Sequence, residues 1–190
     1  VNLFEFLLVI VSIVLGLGIT ELLSGVVRVF RGDFVSGRLH ALWMLFVFQV
    51  QVQMAWGLWA LRVRETWLYP EFLLMLLGPI LLYMAAAVLF PSVGSSDEGL
   101  DDYLIRRRRP FFLLMAAYVV FSALYSGFLL NSDLKLIPVV FRVTALALFI
   151  VLAIISNRRA HLFLGLAIFV SQLLFTYLFT FMVTAVPIRS

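Results

Sequence analysis

Residues 72 to 96 read FLLMLLGPILLYMAAAVLFPSVGSS, a continuous stretch without one charged side chain. A hydrocarbon layer about 30 Å thick is crossed by roughly 20 apolar residues of α-helix at 1.5 Å per residue. Helices buried in soluble domains seldom need so long an unbroken run. Ala41 to Leu61 and Pro110 to Ser132 are likewise charge-free, and three further apolar runs fill most of the remaining chain. The sequence therefore predicts an all-α integral membrane protein, a bundle of six transmembrane helices at about 3–27, 41–61, 72–90, 111–130, 137–155 and 162–186.

Composition agrees. Of 190 residues, 64% are hydrophobic and 13% charged, too little polar surface to solvate a globule of this size. The spans and their loops use up the sequence as a single transmembrane domain over 1–190, so function is expected within the membrane or in short loops. With no cysteine there are no disulfides, thiolate metal sites or cysteine nucleophiles. The net charge of +4 is not a nucleic-acid signal, because the basic residues sit at the ends of spans, where anionic lipid headgroups would meet them. The start, Val-Asn-Leu-Phe-Glu, lacks the basic opening of a cleaved signal peptide and reads as the first span.

Orientation follows from arginine and lysine in alternate loops. Arg28, Arg31, Arg38, Arg106, Arg107, Arg108, Arg109, Arg158 and Arg159 fall on one side; Arg62, Arg64, Lys135 and Arg189 fall on the other. The richer side is expected in the cytoplasm of a cell with this inner membrane, which puts both termini outside. Within the loop before the fourth span, Ser95 and Glu98 form an S-x-x-E capping pattern that predicts a short interfacial helix. Its acidic residues come first and Arg106 to Arg109 last, as the helix dipole favours, with Asp102 and Arg106 at i,i+4 spacing. The four arginines are expected to contact anionic lipid headgroups or a partner.

The first span carries the clearest polar pattern. Ser12, Gly16, Thr20 and Ser24 recur every four residues, a ladder of small side chains that suits close helix packing or an oligomer contact. Gly18, Glu21, Gly25 and Arg28 form a second, more polar strip. Glu21 lies about 10 Å from the Arg28 boundary, too deep for its short side chain to reach the interface easily. A carboxylate there must be paired, protonated or facing water, so it reads either as a helix-holding group or as an ion or proton site.

Counting helical rise places Gln49, Gln53, Tyr118 and Gln172 in a similar layer, with Tyr83. Gln49, Gln53 and Trp56 share one face of the second span and Gln51 points the other way; Gln172, Thr176, Thr180 and Thr184 form a line on the last. A polar layer of Glu21, Gln49, Gln53, Tyr118, Gln172 and Thr176 is the expected ion or solute pathway. Arg142, shortly after Pro138, is expected to form a structural ion pair with Glu5 or Glu71. His40 and His161 each follow an arginine at i−2 and open a span, which raises a shared metal or haem, although nothing else supplies ligands at suitable spacing.

No catalytic motif is present: neither H-E-x-x-H, G-x-S-x-G nor a phosphate loop occurs. The expectation is a non-enzymatic ion channel or small-ion transporter, oligomeric and without cofactor, built around Glu21. The alternative is a non-catalytic membrane subunit or scaffold that binds another membrane protein. A redox protein using the two histidines comes third.

Overall fold

The computed structural model describes residues 3–35, 37–64, 66–91, 99–130 and 136–180. Among them the regular elements are helices: α1 Leu3–Phe30, α2 Arg38–Leu58, α3 Tyr69–Leu89, α4 Leu100–Arg106, α5 Arg108–Phe128, α6 Leu136–Ile154 and α7 Arg158–Phe175. All but the short α4 are long and apolar enough to cross a membrane, and these six occupy the six predicted segments. A 3-10 turn, Trp59–Val63, extends α2, and a π-helical turn, Thr176–Thr180, extends α7. The end of the sixth predicted span, with Thr184, lies outside the described residues.

Local chemistry accounts for the helix ends. Gly32 takes the left-handed conformation at φ 83°, which a side chain would strain, and the Asp33 N–H then reaches back to the Arg28 carbonyl at 3.0 Å to close α1. Pro70 opens α3, where one Glu71 oxygen accepts the Leu68 N–H at 2.9 Å. The Asn157 side chain caps α7 by accepting from the Arg159 and Ala160 N–H groups at 2.9 and 3.3 Å.

The packing runs α1 on α3, α3 on α5, α5 on α6 and α6 on α7, with α2 returning from α7 to α3 and α1. Its tightest crossings rely on missing side chains. A Cβ at Gly25 would lie 2.1 Å from the Phe90 ring, one at Gly18 would lie 2.6 Å from Gln51 Nε2, and one at Gly78 would lie 2.4 Å from the Phe121 ring. The buried strip of α1 is therefore Val11, Leu15, Gly18, Leu22 and Gly25. The Ser12–Ser24 ladder faces the other way: Ser12, Thr20 and Ser24 are exposed, and a Cβ at Gly16 would meet nothing within 4 Å. Among the described residues, no close helix contact uses Gly16.

The short α4 is held by tertiary contacts. Its Leu100 and Leu104 are fully buried, and the Leu100 N–H donates to the Val35 carbonyl at 2.9 Å. Asp101, also buried, accepts the His40 N–H at the start of α2 at 2.8 Å and pairs through its other oxygen with Arg158 at the start of α7. Gly37 makes room for this, since a Cβ there would lie 2.0 Å from the Asp101 carboxylate. Asp102, expected opposite Arg106, lies 3.4 Å from Arg158. The predicted capping residues Ser95 and Glu98 are outside the described residues; α4 starts directly after Gly99.

Candidate functional site

A cleft of about 740 Å³ opens between α2, α5, α6 and α7. Its walls are Phe46 to Ala60 of α2 and its extension, Met115 to Leu130 at the end of α5, Pro138 to Phe149 of α6, and Ile168 to Phe175 of α7. By helix register these are the parts of the four helices away from the arginine-rich end. Small residues leave the space: Cβ atoms at Gly57 and Gly127 would meet nothing within 4 Å, and Ser122, Ser126 and Ala145 line the same wall.

Polar groups are concentrated in the outer part of this cleft. The Gln172 amide donates to the Gln53 side-chain oxygen, joining α7 to α2. Ser122 and Ser126 donate to carbonyls of their own helix, at 2.8 Å to Val119 and 2.9 Å to Ser122, which leaves their oxygens able to accept. Ser126 does so from the Arg142 guanidinium. Among the described residues no carboxylate lies within ion-pair distance of Arg142. The Tyr125 hydroxyl, on the same wall, is buried with no hydrogen-bond partner.

Toward the arginine-rich end the cleft is closed by aromatic packing. Trp43, fully buried, has ring centroids 5.4 Å from Phe46, 5.7 Å from Phe111 and 4.9 Å from Phe112, all edge-on. Phe149 lies 6.1 Å from Trp43 and stacks on Phe112, which also has His161 at 5.2 Å. Gly165 lets α7 approach here, because a Cβ would come within 3.0 Å of the Trp43 ring.

The expected polar layer is thus divided. Gln53, Tyr118 and Gln172 share the cleft wall. Thr176 lies just beyond, its hydroxyl donating to the Gln172 carbonyl at 2.8 Å. Gln49 is half-buried on α2 and does not line the cleft. Glu21 belongs elsewhere: it lies 3.6 Å from Arg28 on its own helix, and Arg28 in turn donates to the Pro91 carbonyl and sits over the Phe34 and Phe90 rings. Depth counting aligned these residues in height, but α1 packs on α3 and α2 rather than against α7.

The expected ion pair between Arg142 and Glu5 or Glu71 is not formed. Arg142 turns to Ser126, while Glu71 pairs with Arg64. The reason is connectivity: α6 packs on α5 and α7, and α1, with Glu5, packs on α3 and α2. Of the four arginines at the junction of α4 and α5, Arg106 stacks over Tyr103 and Arg108 donates to the Ile105 carbonyl; Arg107 and Arg109 are exposed.

The histidines serve different contacts. His40 Nε2 shares a hydrogen with the Leu89 carbonyl at 3.0 Å, and His161 Nε2 with the Ile155 carbonyl at 2.7 Å. Among the described residues no group of three or more potential ligands could hold a metal ion. Sequence reasoning missed two buried polar residues. Gln51, on the face of α2 opposite Gln53, is fully buried against Gly18, and among the described residues neither amide atom has a hydrogen-bond partner. Asp101 was assigned to the dipole of α4, yet its i,i+3 spacing to Leu104 put it beside the apolar flank, and that was the available signal. No known family, curated protein or solved structure matches the chain.

Proposed function

We propose that this is a multi-pass inner-membrane transport protein whose solute site is the cleft between α2, α5, α6 and α7. The arginine-rich helix ends face the cytoplasm and the cleft opens to the other side. The observation that carries this reading is the contrast along the four helices: an unfilled outer half of about 740 Å³ whose mainly apolar walls carry Gln53, Gln172 and Arg142, in the usual range for small-molecule sites, above a fully packed aromatic layer. A cavity open to one side and plugged toward the other is what alternating access requires. The site retains Gln53, Tyr118 and Gln172 from the expected pathway, replaces Glu21 by Arg142, and needs no catalytic group or cofactor.

The test is flux into liposomes over a panel of H⁺, K⁺, Cl⁻ and organic anions. Wild-type protein is compared with Gly57→Trp, which fills the cleft, and Glu21→Gln, which removes a carboxyl group outside it. Loss of flux in Gly57→Trp and retention in Glu21→Gln supports the cleft. The reverse pattern restores a pathway centred on Glu21.

A scaffold role rests on a different observation, the outward exposure of Ser12, Thr20 and Ser24 around the bare backbone at Gly16. Such a stripe suits a close contact with another membrane helix, from a second copy or a partner. Gly16→Leu should then weaken assembly while leaving the fold of the single chain intact. Absence of flux for every solute, with assembly lost in Gly16→Leu, would favour the scaffold.

A further inference from the structure

Arg142 is the charged residue in the cleft wall, and among the described residues no carboxylate lies within ion-pair distance of it. A guanidinium carries five N–H donors, and the partner it has here is the neutral Ser126 hydroxyl. A charge held in apolar surroundings without a counterion is costly, so the site favours a bound anion. The Tyr125 hydroxyl, buried and without a partner on the same wall, supplies a further donor. An anion that accepts from both would satisfy the two groups that the chain leaves incomplete.

The remainder of the cleft selects against a bare inorganic ion. From Arg142 to Phe149 is seven residues, about 10 Å along α6, and over that depth the wall carries Phe46, Val50, Met115 and Leu148 beside the mutually bonded amides of Gln53 and Gln172. The apolar side chains offer contact surface to hydrocarbon, and the two amides already bond each other across it. On the reading that the cleft is the solute site, we propose that its ligand is a single-chain amphiphile with an anionic head, the head on Arg142 and Tyr125 and the alkyl chain running down to the aromatic layer. A carboxylate or a phosphate monoester head provides the same chemistry, from a free fatty acid or a lysophosphatidic acid.

The experiment is equilibrium binding to the intact protein in nanodiscs of zwitterionic lipid, with radiolabelled oleate as probe. Oleyl phosphate, methyl oleate and acetate serve as competitors. Oleate should bind saturably, oleyl phosphate should displace it, and methyl oleate and acetate should each compete about tenfold more weakly or worse. Arg142→Gln should weaken oleate binding by about tenfold or more, and Arg142→Lys should recover most of the loss. Should Arg142→Gln fail to fold, Gly57→Trp provides the second variant and should exclude oleate. Equal competition by the uncharged ester, or unchanged binding in the folded Arg142→Gln, overturns the anionic head; equal competition by acetate overturns the chain. Preference between oleate and oleyl phosphate distinguishes the two head chemistries within the proposal. Flux that Gly57→Trp stops, without Arg142-dependent oleate binding, leaves the transport reading standing and this inference refuted. Oleate binding without flux does the opposite.

Discussion

The same four helices build two opposite environments within one quadrant of the molecule. Near the arginine-rich end, Trp43, Phe111, Phe112 and Phe149 fill the space between α2, α5, α6 and α7 completely. Toward the other end, Gly57, Gly127, Ser122 and Ala145 occupy the equivalent inward positions, and a cleft of about 740 Å³ remains. Helix type and overall apolarity are alike in both halves. Large aromatic side chains fill the first and small ones leave the second open.

Removing the keystone of the filled half should have the largest effect. Trp43→Ala deletes a ring in contact with four other aromatics and should cost about 3–5 kcal/mol, read as a lower thermal unfolding temperature in detergent. If stability hardly changes, the aromatic layer is not a packed unit and the contrast with the cleft is lost.

Two glycines sharpen the contrast at smaller scale. At Gly78 an added Cβ meets the buried Phe121 ring at 2.4 Å, so Gly78→Ala should destabilise by about 1–3 kcal/mol despite the better helix propensity of alanine. At Gly57, facing the cleft, the same substitution meets open space, and Gly57→Ala should be neutral or stabilising by up to about 1 kcal/mol. Parallel unfolding of the two variants checks the opposite signs directly. Equal destabilisation would mean that the space beside Gly57 is filled.

How legible all this was in the sequence depends on which physical question is asked. Span number and position follow from uninterrupted apolar length, a property of each segment by itself, and α1 to α7 without α4 fall where the runs predict. The site depends on which helices are neighbours, and rise per residue carries no information about that. Gln53 and Gln172 met because α2 packs on α7; Glu21, at a matching height, did not, because α1 packs on α3. Arg142 reads as a structural cation when Glu5 is imagined beside it and as part of the cleft wall once α6 is seen against α5. Asp101 shows the same limit: its partners, His40 and Arg158, come from two other helices.

The central claim is a cleft accessible from one side only, and the absence of native cysteine makes it directly measurable. Ser122→Cys, in the cleft wall, and Ala116→Cys, buried on the same α5, are labelled with an impermeant thiol reagent in intact cells and in inverted membrane vesicles. The account predicts rapid labelling of Ser122→Cys in intact cells, little in inverted vesicles, and none of Ala116→Cys in either. Labelling of Ser122→Cys from the inverted side, or from neither side, would contradict it.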